Sequence, residues 1–246
     1  MKPILNVSAY RFVELNDAAS LRESMRSRAE ALGLRGTLIL AVEGINLALA
    51  GAREPLEEFV AGLESDARFA GMDWKRSDSD ALPFGRLRVK LKCEIIRMNQ
   101  PAVRPQQQRA PALHAATLAR WLNQGADDAG RELALLDTRN GFEVERGRFR
   151  DAIDWQLQRF SDFPTKLNEQ KARLAGKTVV SYCTGGIRCE KAALWMLIEG
   201  VQNVWQLDGG ILKYFELQGG RHFEGSCFVF DERDALANTL APAGAA

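Results

Sequence analysis

The stretch "KTVVSYCTGGIRCEKAALWML", residues 177–197, decides the fold of the second half of this chain. Its apolar, β-branched beginning is typical of a parallel strand that is buried on both faces and ends at Tyr182. A helix is predicted to begin near Cys189 and to end at Gly200. The loop "CTGGIR" therefore lies at the carboxyl end of a strand and before a helix, where α/β sheets place their ligands.

The composition of this loop favours a reactive thiolate at Cys183. A glycine pair allows the backbone to curl, so that several N–H groups converge on one anion. The helix dipole and the guanidinium of Arg188 add positive charge at the same place. We therefore predict a lowered pKa for Cys183, whereas Cys93 and Cys227 are interpreted as structural. The backbone of the predicted active loop comes from Thr184, Gly185, Gly186 and Ile187.

Two short apolar runs extend the predicted parallel sheet of the second half. They are "LALLDT" at 133–138 and "VQNVWQL" at 201–207, and the amphipathic segment 163–176 lies between them. The order strand, helix, strand around the active loop is that of a βαβ unit.

The first half alternates strands and helices in the order β-α-β-β-α-β, with a turn at Glu43 and Gly44 between the middle strands. This order predicts a ferredoxin-like domain. Proline and glutamine dominate residues 99–112, which indicates a linker. The predicted organisation is a ferredoxin-like domain at 1–98, this linker, an α/β domain at 113–234 and a flexible tail at 235–246.

The composition excludes several classes of protein. Lys and Arg number 33 against 32 Asp and Glu, so the net charge gives no hint of a nucleic-acid or membrane partner, and any site for a polyanion must be local. Four cysteines in 246 residues do not make a disulfide scaffold. The sequence has no signal peptide and no apolar run of about 20 residues, and its two histidines suggest no metal site. We expect a soluble protein of the reducing cytoplasm, with no membrane association.

A local excess of positive charge is hidden by the neutral total. Residues 86–109 contain seven basic residues and one acidic residue, Glu94. On a strand, Leu87, Val89 and Leu91 would take one face and the basic residues the other. A solvated strand face is one explanation, and contact with an RNA phosphate backbone is the one we favour. The candidate RNA-binding residues are Arg86, Arg88, Lys90 and Lys92.

The loop resembles the active loop of the rhodanese family, in which a cysteine begins a six-residue loop that ends in arginine. The related phosphatases have one more residue between the cysteine and the arginine. The segment "LLDTRNGFEVERGRFRDAID" resembles the upstream rhodanese segment, with Asp137, Arg139, Glu143 and Gly147 in matching places. The segment "LDGGILKY" resembles the downstream rhodanese turn. The resemblance implies a supporting role for Asp137 and Arg139.

The sequence resembles one rhodanese subfamily more closely than the family as a whole. The segments "VEGINLALAG", "DTRNGFEVERGRF", "YCTGGIRCEKAA", "LDGGI" and "GSCFVFDER" together resemble the bacterial tRNA uridine 5-hydroxylases of the rhodanese type. The resemblance implies an acylphosphatase-like N-terminal domain and oxygen-dependent 5-hydroxylation of the wobble uridine. It implies tRNA as partner and molecular oxygen as co-substrate. No other cofactor is evident from the sequence, and we expect no metal site and no DNA partner. Many members continue into a cysteine-rich tail, whereas this chain stops at "DALANTLAPAGAA".

The residues leave three functions open. The chain is a uridine hydroxylase, a sulfurtransferase that carries a persulfide on Cys183, or a rhodanese module that only binds a partner. The role of Cys189 is also open. It is either a small residue tolerated at the helix start or a resolving thiol that forms a disulfide with Cys183. The sequence does not indicate an oligomeric state.

Overall fold

The computed structural model describes residues 4–243, which fall into two units. The first unit holds residues 4–96 and Phe230–Arg233, and the second holds Arg97–Val229 and residues 234–243. Within residues 4–243, no helix combines the length and the apolar composition that a membrane span needs.

The first unit is one mixed sheet with two helices. Its strands lie in the order β4-β1-β3-β2-β5, all antiparallel except that β5 pairs parallel to β2. The predicted order of elements is confirmed, with one additional strand at the end. The elements are β1 (Ile4–Phe12), α1 (Ala18–Ala31), β2 (Arg35–Ala41), β3 (Gly44–Gly51), α2 (Arg53–Glu64), β4 (Lys75–Ser79) and β5 (Leu87–Leu91).

Apolar periodicity explains how α2 packs. Leu56, Phe59 and Leu63 recur at helical spacing and are buried in one cluster with Leu38 and Leu40 of β2. Side chains three and four positions apart share one face of a helix, so this face covers the sheet.

The turn between β2 and β3 was predicted one residue too late. It is at Val42 and Glu43, because Ala41 pairs directly with Gly44. Asp17 precedes α1 and makes no side-chain capping hydrogen bond, and its carboxylate accepts a hydrogen bond from Arg68 at 2.6 Å.

The second unit is built on a five-stranded parallel sheet in the order β6-β11-β10-β7-β9. The predicted parallel sheet is confirmed. Two additional 3-10 helices span Phe160–Asp162 and Lys171–Leu174. The elements are β6 (Ala112–Leu113), α3 (Ala115–Gln124), β7 (Leu133–Asp137), α4 (Gly141–Val144), β8 (Gly147–Phe149), β9 (Ile153–Asp154), α5 (Phe163–Gln170), β10 (Thr178–Tyr182), α6 (Ile187–Ile198), β11 (Val204–Leu207), α7 (Gly210–Gln218), β12 (Phe223–Gly225), β13 (Cys227–Phe228) and β14 (Ala235–Leu236).

The central strand β10 positions the predicted active loop. All five of its residues are buried, as its continuous apolar run predicted. Its carboxyl end leads directly into Cys183, with β7 and β11 paired on either side.

The C-terminal boundary differs from the prediction. Ala235 and Leu236, which we placed in a flexible tail, are buried and pair antiparallel with Cys227 and Phe228. The end of the predicted linker, Ala112, belongs to β6. Strands of two residues are too short to show alternation, so no periodic pattern predicts them. Residues 244–246 of the predicted tail lie outside the described residues.

Candidate active site

The active loop is two residues shorter than predicted, because α6 begins at Ile187. Gly186 occupies the position before the helix in a left-handed conformation, with φ of 100°. Its N–H group donates a hydrogen bond to Cys183 Sγ at 3.2 Å. Arg188 therefore lies in the first turn of the helix, where the positive end of the dipole also acts on the sulfur.

Two buried thiols meet at this loop and titrate in opposite directions. Cys183 and Cys189 each have 0% exposure. Burial alone would raise the pKa of Cys183, but the hydrogen bond from the Cys189 thiol, the charge of Arg188 and the backbone N–H groups of both residues lower it to about 5. Burial and the neighbouring Cys183 raise the pKa of Cys189 well above its ordinary range. The pair therefore consists of a thiolate at Cys183 and a neutral thiol at Cys189.

A buried carboxylate fixes the arginine of the loop. Both terminal nitrogens of Arg188 donate to Glu143, at 2.6 Å and 2.8 Å, and Glu143 is fully buried. Glu143 also accepts from the backbone N–H of Asn140. The bidentate geometry is the strong form of this interaction, and it links α4 of the upstream segment to α6.

Asp137 and Arg139, predicted as supporting residues, form a second buried ion pair. Both side chains have 0% exposure and their closest approach is 2.6 Å. Arg139 also donates to the carbonyl of Gly147 and lies over the ring of Tyr182. The pair holds the segment after β7 in place next to the end of β10.

The first turn of α7 holds the active loop from the other side. The N–H groups of Ile211 and Leu212 donate to the carbonyls of Cys183 and Thr184, at 2.9 Å and 3.1 Å. Gly210 has φ of 68°, and a Cβ atom there would lie 2.5 Å from the Cys183 carbonyl oxygen. Only glycine fits this close approach.

Of the two cysteines interpreted as structural, Cys93 is exposed, whereas Cys227 is buried as expected. Its environment includes the side chains of Thr184 and Arg139, so it lies beside the active loop. Burial raises the pKa of Cys227 to about 12. A neutral thiol of this kind is a poor nucleophile, so Cys183 is the one activated thiol of the three.

The four candidate RNA-binding residues lie on β5 or at its ends. Arg86, Arg88 and Lys92 are exposed and Lys90 is half-buried. No ion pair joins any of the four to another residue within 4–243. The predicted apolar face is only partly covered, since Val89 is buried and Leu91 is 44% exposed.

Sequence reasoning missed the roles of Glu143 and Gly210, although both stand in segments that it had singled out. A partner 45 positions away cannot be read from local spacing. Among the described residues, no three His, Cys, Asp or Glu side chains are grouped so as to hold a metal ion.

Family comparisons agree with this architecture. Residues 4–95 match the family described as UPF0176 acylphosphatase like domain, and residues 115–217 match the Rhodanese-like domain. The fold and the loop thus define a rhodanese-domain protein with an acylphosphatase-like domain before it. Among solved structures, a rhodanese-like domain from Anabaena sp. covers 56% of this chain and 88% of its own, with 19% identity and a TM-score of 0.40.

Full-length relatives narrow the class. The tRNA uridine(34) hydroxylase of Bordetella avium is 60% identical over 97% of this chain and 99% of its own length. That of Variovorax paradoxus is 60% identical over 98% of this chain and 91% of its own. The chain belongs to the tRNA uridine(34) hydroxylase family, which confirms the resemblance stated from the sequence.

Proposed function

We propose that this chain hydroxylates C5 of the wobble uridine in tRNA, with molecular oxygen as co-substrate, in the cytoplasm. The observation that carries the proposal is the thiolate of Cys183, held by the Gly186 N–H group and by its neutral neighbour Cys189. Membership in the hydroxylase family supports the choice of reaction.

Covalent addition explains why a thiolate is needed. C5 of uracil becomes nucleophilic only after a nucleophile adds at C6, and Cys183 supplies that nucleophile. The addition forms an S–C6 bond and an enolate across C4 and C5. The enolate reacts with oxygen at C5, and protonation of the product gives a hydroperoxide.

The second thiol completes the electron balance. Once Cys183 is bound to C6, it no longer carries the negative charge that helps to raise the pKa of Cys189. The sulfur of Cys189 then attacks the distal oxygen of the hydroperoxide, and its proton passes to the oxygen left on C5. This step gives a C5 hydroxyl and a sulfenic acid on Cys189. Loss of the C5 proton and of the Cys183 thiolate then restores the ring. The free thiolate condenses with the sulfenic acid to a disulfide and releases water, and an external thiol reduces the disulfide. Uridine, oxygen and two thiols thus give 5-hydroxyuridine, a disulfide and water.

The burial of Cys183 means that these reaction steps require a local movement around the loop. The sulfur has no exposed surface, so the uracil edge reaches it only after residues around the loop shift. Exclusion of water from the closed site protects the reactive intermediate. The exposed cations of β5 in the first unit supply the sequence-independent part of tRNA binding.

Nucleoside analysis of tRNA tests the proposal. A strain without the gene should lose 5-oxygenated uridine, and the wild-type gene should restore it. Cys183→Ala should not restore it, because the S–C6 bond cannot form. Loss of thiolated uridine would instead indicate a sulfurtransferase, and unchanged tRNA would indicate a binding module.

A trapping experiment tests the covalent step separately. A tRNA with 5-fluorouridine at the wobble position should form a covalent adduct with Cys183, and the Cys183→Ala variant should not form it.

A further inference from the structure

One polar side-chain atom of the active loop has no hydrogen-bond partner. The hydroxyl oxygen of Thr184 is buried, and no group within residues 4–243 forms a hydrogen bond with it. The thiol of Cys227 lies beside this side chain without reaching hydrogen-bond geometry, and sulfur is a weak partner in any case. Burial of an unpaired hydroxyl opposes folding, so an atom of this kind calls for a functional explanation.

The loop holds Thr184 on the side from which a substrate approaches. The backbone of Thr184 is fixed, since its carbonyl accepts a hydrogen bond from the N–H group of Leu212 at 3.1 Å. Thr184, Gly185 and Ile187 are half-buried, whereas Cys183 is fully buried. A base that reaches the sulfur therefore passes these three residues, and only Thr184 among them has a polar side chain.

The donors that face the sulfur already have partners. Three backbone N–H groups act on the sulfur of Cys183, those of Gly186, Arg188 and Cys189. The guanidinium of Arg188 binds both oxygens of Glu143. These groups suit a negative charge on sulfur, but the S–C6 bond moves that charge to the enolate, where the oxygen O4 bears much of it. A donor for O4 must come from another group of the loop.

We propose that the hydroxyl of Thr184 donates a hydrogen bond to O4 of the uracil ring as the enolate forms. This inference rests on the proposed function and adds a catalytic residue to the same site. Only C5 separates C4 from C6, and Thr184 directly follows Cys183, so neighbouring residues contact neighbouring parts of the ring. The local movement that opens Cys183 to the base must open this hydroxyl as well.

The electron balance of the addition step does not change. The thiolate supplies the electron pair of the S–C6 bond, the π pair of C5 and C6 moves into the enolate, and the hydroxyl of Thr184 keeps its proton. A fixed donor aimed at the atom where charge develops stabilises the transition state more than the bound substrate.

The test measures the rate at which the protein forms the covalent adduct with tRNA that carries 5-fluorouridine at the wobble position. Thr184→Val keeps the shape of the side chain but removes the hydroxyl. At saturating tRNA it should form the adduct about 100- to 1,000-fold more slowly, which is the usual effect of removing one oxyanion donor. Thr184→Ser keeps a hydroxyl and should react at close to the wild-type rate. The pH dependence of Cys183 alkylation by iodoacetamide should be the same in all three proteins.

A second buried threonine provides the matched control. The hydroxyl of Thr178 on β10 donates to Asp127 at 2.6 Å. Thr178→Val should lower Tm, because Asp127 loses a donor, and should leave the adduct rate unchanged. Thr184→Val should not lower Tm, because it removes a hydroxyl that the fold does not use.

Three results would overturn the inference and leave the covalent mechanism intact. They are an adduct rate of Thr184→Val equal to that of wild type, a rate of Thr184→Ser as slow as that of Thr184→Val, and a shifted alkylation profile in Thr184→Val. The last result would mean that the hydroxyl acts on the sulfur. If wild type itself forms no adduct, the covalent mechanism fails together with the inference.

Discussion

Arg188 in the first turn of α6 and Arg88 on β5 carry the same charge in opposite environments. Arg188 is buried and held by the two oxygens of Glu143, whereas Arg88 is exposed and forms no ion pair with residues 4–243. A buried, fixed charge can set the pKa of a neighbouring thiol, because little water screens it. An exposed charge without an internal partner contributes little to folding and remains available to a polyanion.

The largest expected difference between the two regions is in stability. Glu143→Ala leaves Arg188 buried without its bidentate carboxylate partner, and the free energy of unfolding should fall by about 3–5 kcal/mol. As a control, Asp78→Ala breaks the exposed pair with Arg53 and should cost at most about 1 kcal/mol. Denaturation in guanidinium chloride measures both. Similar losses in the two variants would contradict the contrast between buried and exposed charge.

The sequence predicted this contrast only in part, for a physical reason. The strand, the glycine pair and the arginine of the loop are neighbours in the chain, so local patterns were sufficient to predict them. The pairing of Arg188 with Glu143 spans 45 positions and depends on how β7 and β10 lie in the sheet. The helix start was misplaced because Gly186 ends the loop in a left-handed conformation, which makes α6 begin before Cys189.

The next largest effect on stability is expected where the first turn of α7 packs against the active loop. Gly210→Ala would place a methyl group 2.5 Å from the Cys183 carbonyl oxygen, in addition to the cost of about 1–2 kcal/mol for a left-handed alanine. Gly176 has φ of 74° with nothing near its missing Cβ, so Gly176→Ala should show that backbone cost alone. Thermal unfolding of the two variants gives the comparison. Equal shifts in Tm would show that the loop tolerates the methyl group.

The pKa of Cys183 should depend on the side chain at position 189. Cys189→Ala removes a hydrogen-bond donor, so the pKa of Cys183 should rise, whereas Cys189→Ser keeps a donor and should raise it less. Ultraviolet absorbance of the thiolate, followed against pH with Cys183→Ala as the blank, measures this pKa. If Ala and Ser give the same pKa, the Cys189 thiol does not stabilise the thiolate.

The same lowered pKa makes stability depend on pH. Folding lowers the pKa of Cys183 from an ordinary value of about 9 to about 5, so the folded state gains stability from the thiolate above pH 9. That gain is lost as the pH falls from about 9 towards 5. Wild type should therefore lose more unfolding free energy than Cys183→Ala over this range. Parallel stability profiles for the two proteins would contradict the lowered pKa.

The smallest effect on stability, and the sharpest on binding, is expected on β5. Replacing Arg88 and Lys90 by Ala should change the unfolding free energy by no more than about 0.5 kcal/mol, since neither forms an ion pair within the described range 4–243. Each phosphate contact that is lost should reduce the slope of log Kd against log salt by about 0.7–0.9, so the slope of the double variant should fall by about one to two.

Arg76→Ala is the matched control, because Arg76 is also exposed on a strand of the first unit but already binds Glu57. Its charge is neutralised within the fold, so its salt slope should remain that of wild type. If Arg76→Ala flattens the slope as much as Arg88→Ala and Lys90→Ala together, RNA binding follows total charge rather than this strand.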